Sequence, residues 1–140
     1  MDDYQNGIIL KHENTLESKE QDRIRHVETC SAHTGPIFLA CRPVPELKSL
    51  TDQIRRETPL YDFISEDGIR HQVWRICSPE DIENISQSFA DIPHLYIADG
   101  HHRAASAVKA GLRKRAADPG FSGTEEYNYF LSVVFPSDEL

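Results

Sequence analysis

The sequence predicts an α+β fold in which helices pack on a mixed sheet. Short apolar runs with the character of strands alternate along the chain with longer segments whose apolar residues recur at helical spacing. Two further segments alternate apolar and polar residues on either side of Asp67-Gly68, which is the pattern of a β-hairpin. Interleaved strands and helices indicate layers of both, and the hairpin makes the sheet mixed instead of wholly parallel.

The first part of the chain contributes two predicted strands with a helix between them. Residues 7–11 form a short strand pattern that runs into a polar cluster at residues 12–15. Ser18, followed by an acidic first turn, opens a helix that carries Ile24 on its buried face. The run Ile37–Cys41 is continuously apolar, which is typical of a buried central strand.

The middle of the chain is predicted to hold two helices and the hairpin. Apolar residues in the segment 47–54 have the spacing of one helix face. The hairpin strands are predicted at residues 60–65 and 69–76. Ser78-Pro79 then supplies the cap and the first-turn proline of a second helix. Its buried face is predicted to consist of Ile82, Ile85 and Phe89.

The last part of the chain repeats the strand-to-helix pattern and ends on a strand. An apolar strand at residues 95–98 leads through a polar turn, residues 99–103, into an alanine-rich helix at residues 104–114. Residues 118–124 form a loop, and residues 128–135 have the pattern of a long strand. A chain that stops directly after a core strand is expected to be a piece of a longer protein.

Length and composition predict a single domain over residues 1–140. The chain has the size of one ordinary domain, with 39% hydrophobic and 27% charged residues. Its formal net charge of −8 argues against broad binding to nucleic acid or to an acidic membrane surface, so the expected partner is a small molecule. No apolar run is long enough to cross a bilayer and no signal-peptide pattern is present, which predicts a cytoplasmic protein. A homodimer is left open.

The turn that follows the strand at residues 95–98 carries the strongest functional signal. The first backbone N–H groups of a helix are unpaired, and the helix dipole adds positive charge, so a strand-to-helix turn is a ready anion site. Gly100 lets a ligand approach the backbone, and Arg103 offers a planar fork that suits phosphate. His101 and His102 can donate to the same anion, bind a metal or move protons. The structural alternative is that Asp99 caps the helix and that both histidines are solvated.

Five separated motifs carry a resemblance to a known family. They are His12-Glu13-Asn14-Thr15, Asp22-Arg23, Gly35-Pro36-Ile37-Phe38, His71 with Trp74-Arg75, and the run from Tyr96 to Arg103 that reads Y-I-A-D-G-H-H-R. The chain resembles, over almost its whole length and with these motifs in the same order, the bacterial and archaeal family catalogued as domain of unknown function 1015. Members of that family are typically much longer, so the resemblance implies that this chain is the middle part of one.

The D-G-H-H-R turn is also distantly similar to the phosphate-binding turn of the ParB and sulfiredoxin superfamily, which includes a free serine kinase. This resemblance implies a ParB/sulfiredoxin-like mixed sheet. It also implies a nucleotide-binding, serine-kinase-like phosphotransferase that uses ATP or ADP and acts on a small hydroxyl compound. The residues implied to hold the nucleotide phosphate are Gly100, His101, His102 and Arg103.

The same resemblance implies the catalytic and metal contacts. In the free serine kinase a glutamate from another loop is thought to activate the hydroxyl, and the best candidate position here is Glu13, with His12 and His101 as the other catalytic candidates. Phosphoryl transfer usually requires a divalent ion, so Mg²⁺ is the implied cofactor and Asp99 either contacts it or caps the helix. Arg23 either binds a second anion or pairs with carboxylates on the surface of its helix.

Two alternatives to a kinase remain. A regulatory module that senses a nucleotide would bind it tightly without turnover. A metal-dependent hydrolase would use His12, Glu13, His101 and His102, although the His12-Glu13 pair is not followed by a histidine at the spacing of metalloproteases.

Overall fold

The computed structural model describes all residues, 1–140, and confirms the α+β fold class. The chain contains five helices, six strands and one short 3₁₀ turn. In order these are α1 (Asp2–Gln5), β1 (Ile9–Leu10), α2 (Glu17–Cys30), β2 (Ile37–Cys41), α3 (Pro45–Ile54), β3 (Tyr61–Ile64), β4 (Arg70–Val73), α4 (Pro79–Ala90), β5 (Leu95–Asp99), α5 (His101–Ala117), the 3₁₀ turn (Glu126–Asn128) and β6 (Ser132–Pro136). None of these helices combines the length and the apolar character that crossing a membrane requires.

The chain forms two compact units. The first consists of Met1–Arg42 together with Pro93–Leu140, and the second of Pro43–Ile92. All the residues that the sequence selects as site candidates belong to the first unit. The single domain expected from chain length stays a prediction.

The first unit is built on a four-stranded mixed sheet with the strand order β1-β5-β2-β6. Strand β5 pairs in parallel with β1 and antiparallel with β2, while β6 pairs in parallel with β2. The carboxyl ends of β1 and β5 and the amino ends of β2 and β6 therefore lie at the same edge of the sheet. The polar cluster after β1 and the turn after β5 are consequently brought to one edge.

Helices α2 and α5 pack together in the first unit, and small side chains on α5 permit their close approach. Ala104, Ala107 and Ala110 are buried on α5, and Ile24 of α2 is fully buried as predicted. Ser106 is also fully buried, and its hydroxyl donates to the backbone carbonyl of Glu20 at 3.3 Å. Below α5, the apolar side chains that the sheet contributes to the core are Ile9, Ile37, Leu39 and Ile97.

The second unit contains α3, the hairpin and α4. The predicted hairpin is confirmed, with Tyr61 opposite Val73 and Ile64 opposite Arg70. The predicted cap of α4 is confirmed as well, because the Ser78 hydroxyl accepts from the backbone N–H of Asp81. The predicted buried face of α4 is wrong at Ile82, whose side chain is exposed.

Helix α5 and the last strand show the two clearest differences from the predicted boundaries. Helix α5 begins at His101 instead of residue 104, because Gly100 adopts a left-handed conformation that lets the helix start directly after β5. The long strand predicted at residues 128–135 is replaced by the 3₁₀ turn and the shorter β6. Asn128 is buried in that turn, and its side-chain oxygen accepts hydrogen bonds from Arg115 at 2.7 and 3.1 Å, which holds the turn against α5.

Candidate functional site

The start of α5 is an uncapped helix N-terminus. Gly100 occupies the N-cap position with φ 94° and ψ 30°, and no side chain accepts from the first N–H groups of the helix. The structural alternative in which Asp99 caps the helix is therefore wrong. Unpaired N–H groups and the helix dipole make this terminus favourable for a negatively charged ligand.

The Asp99 carboxylate is paired instead with Arg103. The Nη2 of Arg103 donates to Oδ2 of Asp99 at 2.8 Å. A Cβ added to Gly100 would lie 2.9 Å from Nη2 of Arg103, and one added to Gly35 would lie 3.7 Å from its Cδ. Arg103 is thus folded over the helix start, and two glycines leave the room for it.

His101 is the buried residue of the first helical turn. Its side chain is only 6% exposed, and Nε2 has no hydrogen-bond partner. Burial, followed by the charge of His12, lowers the pKa of His101, while Glu13 and Asp99 act in the opposite direction. The imidazole is therefore held in its neutral form near neutral pH.

The loop after β1 meets the start of α5. Oε2 of Glu13 lies 3.8 Å from Nδ1 of His101, and the rings of His12 and His101 meet edge to face with centroids 4.4 Å apart. Both Glu13 and His12 are exposed, whereas His101 is buried. The two loops that the sequence singled out thus form one cluster, in which His101 is buried and His12 and Glu13 face the solvent.

The family of the chain can be stated at this point. A family model described as "Protein of unknown function (DUF1015)" matches residues 1–140. The chain belongs to this family. The family resemblance inferred from the sequence motifs is therefore confirmed, while the more distant ParB/sulfiredoxin similarity stays a prediction. No curated protein and no solved structure matches the chain.

The site of this DUF1015 member is held in place by contacts that the sequence motifs did not reveal. The backbone N–H of Leu16 donates to Nε2 of His102 at 3.2 Å, which ties the end of the loop to α5. Thr15 and Lys109 both donate to the carboxylate of Glu20, a residue that is only 3% exposed. Burial alone would raise the pKa of Glu20, but these hydrogen bonds outweigh it and lower the pKa.

Glu20 and Lys109 could not have been found from sequence spacing. The two residues are 89 positions apart, and a glutamate and a lysine on separate helices carry no local pattern. Only the buried position of Glu20 on α2 marks it as unusual, because carboxylates are rarely buried without a partner.

Arg23 is the one predicted binding residue that lies apart from this cluster. It is exposed on α2, and no hydrogen bond or ion pair joins it to the turn. It lines a shallow surface groove together with Ser18, Lys19, Asp22, Arg25, His26 and Thr29. The structure thus brings together His12, Glu13, Asp99, Gly100, His101, His102 and Arg103, and leaves Arg23 on the surface of its helix.

Proposed function

We propose that this chain binds the phosphate groups of a nucleotide at the start of α5 and transfers a phosphoryl group to a small hydroxyl compound. The observation that carries the proposal is the pair of buried side-chain nitrogens without partners, Nε2 of His101 and Nε of Arg103. Each unpaired buried polar group costs about 1–3 kcal/mol. Both belong to the first turn of the same uncapped helix, where a bound anion would compensate for them.

Phosphate recognition combines the helix terminus with the arginine. The free N–H groups of the first turn and the dipole of a 17-residue helix favour a phosphate oxygen there. Arg103 can exchange its exposed partner Asp99 for a phosphate, since guanidinium binds phosphate with two parallel hydrogen bonds. His102 adds an imidazole to the same turn, although its Nε2 already accepts from Leu16.

Transfer requires a group that removes the proton of the acceptor. Glu13 is exposed and lies beside the phosphate-binding turn, so an acceptor hydroxyl can reach both. In the proposed step Glu13 takes the hydroxyl proton, the hydroxyl oxygen forms a bond to the terminal phosphorus, and the bond from that phosphorus to the nucleotide oxygen breaks. His12 packs edge to face against His101 on the protein side of this carboxylate.

The turn offers one carboxylate that can bind Mg²⁺. Asp99 is an exposed carboxylate, at 72% exposure of its side chain, next to the proposed phosphate position. Mg²⁺ is usually bound through one or two carboxylates, substrate phosphates and waters, so Asp99 would hold it with ATP or ADP. The ion, when bound, neutralises charge on the phosphates.

Calorimetric titration with adenine and cytidine nucleotides, with Mg²⁺ present, tests the binding. Arg103→Ala is expected to weaken binding by about 10- to 100-fold, which corresponds to a charged hydrogen bond of about 1.5–3 kcal/mol. Arg113→Ala is the matched control, because Arg113 lies on the same helix and pairs with Glu28 away from the turn. Absence of binding to every nucleotide, or equal losses in the two variants, would refute the proposal.

A second measurement separates transfer from sensing. With a labelled nucleotide and a panel of small hydroxyl compounds, the wild type is expected to transfer phosphate and Glu13→Gln to bind the nucleotide normally without transfer. Nucleotide binding with no transfer by the wild type, unchanged in Glu13→Gln, would instead assign the chain to the nucleotide-sensing alternative.

A further inference from the structure

We propose that His12, Glu13 and His101 bind a divalent transition-metal ion of the Zn²⁺ class. Each residue offers one ligand atom, and these three atoms lie within 4.8 Å of one another. The inference goes beyond the proposed function, because it requires neither a nucleotide nor phosphoryl transfer.

The distances are close to those of a metal centre. Zn²⁺ bonds of about 2.0–2.2 Å place tetrahedral ligand atoms roughly 3.4 Å apart. At its widest separation, up to 4.8 Å, the cluster therefore needs to close by about 1.4 Å. His12 and Glu13 are exposed on a loop and can move by this amount, while His101 is fixed in the first turn of α5.

The donor types favour a transition metal over Mg²⁺. Two imidazoles and one carboxylate form a set that occurs in catalytic zinc sites, whereas Mg²⁺ prefers oxygen donors throughout. On His101 the nitrogen that faces Glu13 is Nδ1, and its 3.8 Å separation from Oε2 is too long for a hydrogen bond, so this atom is not committed to that carboxylate as a donor.

The site has three protein ligands and not four. His102, the fourth candidate from the sequence, is excluded because its Nε2 accepts from the backbone N–H of Leu16. Since His12 and Glu13 face solvent, a fourth position remains open for water or for an oxygen of a ligand at the helix start. Glu13 can take an acceptor proton only in the metal-free protein, so Zn²⁺ at this site is expected to inhibit phosphoryl transfer.

The test is Zn²⁺ binding to the full chain by calorimetry, with Co²⁺ as a visible-absorption probe of coordination. One ion per chain is expected. His12→Ala and Glu13→Gln are each expected to weaken Zn²⁺ binding by at least about 100-fold. Mutation of residues that only hydrogen-bond to a metal ligand already lowers metal affinity by about 10- to 100-fold, and loss of a ligand should cost at least as much. Both residues are exposed, so these variants should fold, as far-UV circular dichroism will check.

The control variants alter His26 and Cys30, a second pair of potential metal ligands on α2. Sγ of Cys30 lies 3.9 Å from Nε2 of His26 on the exposed side of α2. His26→Ala and Cys30→Ser are expected to bind Zn²⁺ like the wild type. No binding by the wild type, or binding that is lost in these two variants and kept in His12→Ala and Glu13→Gln, would overturn the proposal. Nucleotide titrations without Zn²⁺ test the proposed function separately.

Discussion

Replacing Gly100 by alanine should disturb the start of α5 in two separable ways. Its φ of +94° lies in the left-handed region, where an L-residue costs about 1–2 kcal/mol. The added Cβ would also lie 2.9 Å from Nη2 of Arg103, so that the guanidinium must move away. Displacement breaks its pair with Asp99, an exposed interaction worth about 0.2–1 kcal/mol.

Gly123 provides a matched control for the backbone cost. Its φ is +95°, and a Cβ at this position would meet nothing within 4 Å. Gly123→Ala should therefore cost only the backbone strain, and Gly100→Ala should exceed it by about 0.5 kcal/mol. In an Arg103→Ala background this excess should vanish, because no guanidinium remains to be displaced.

Urea unfolding followed by circular dichroism measures these differences. The reasoning is refuted if Gly100→Ala costs no more than Gly123→Ala, or if the excess survives in the Arg103→Ala background. The same Gly100→Ala variant should change nucleotide affinity, since the residue that moves is the proposed phosphate ligand.

Three further predictions concern the packing of α5. Gly111→Ala should destabilise the protein by about 1–2 kcal/mol although alanine is the better helix former, because the new Cβ would collide with the backbone carbonyl of Tyr127. The control Ala116→Gly, on the exposed face of α5, should cost about 1 kcal/mol from helix propensity alone. A Gly111→Ala variant that is more stable than the wild type would contradict this packing. Lys109→Met should cost about 1–2 kcal/mol in urea unfolding, because it leaves the Glu20 carboxylate buried without its cation, while Lys109 itself is 42% exposed and its pair is partly screened by solvent. A change below about 0.2 kcal/mol, the low end for an exposed pair, would show that the pair is unimportant. Because the pKa of Glu20 is lowered from 4.5, its ionised form stabilises the fold above pH 4.5, and this contribution is lost as the pH falls below that value. The difference in unfolding free energy between the wild type and Glu20→Gln should therefore shrink between about pH 6 and about pH 3.

Local patterns were sufficient to predict most elements of this chain. The run Ile37–Cys41 is a strand with the predicted bounds, because continuous apolar residues between turn signals leave few alternatives. The hairpin and the capped start of α4 were predictable for the same reason, since Asp67-Gly68 and Ser78-Pro79 act within a few residues.

Features that depend on distant contacts were not predictable. Nothing local indicates that β2 lies between β5 and β6, or that β2 runs antiparallel to β5. Only the second half of the strand expected at residues 128–135 forms, as β6, because Arg115 and the buried Asn128 stabilise a 3₁₀ turn at its start, a contact between separate segments. For the site, the sequence identified both loops, but only the strand order explains why Glu13 reaches His101.

The antiparallel pairing of β2 and β5 has a consequence for chain entropy. Ala40 lies opposite Tyr96, so the chain leaves the first unit after Arg42 and re-enters it at Pro93 beside its point of exit. Residues 43–92 therefore form a long connection between two neighbouring strands. If a linker of about four residues replaced them, the entropic cost of closing the loop would be lower by about 2 kcal/mol. A chain shortened in this way would keep Glu13, His101 and Arg103 within one continuous unit.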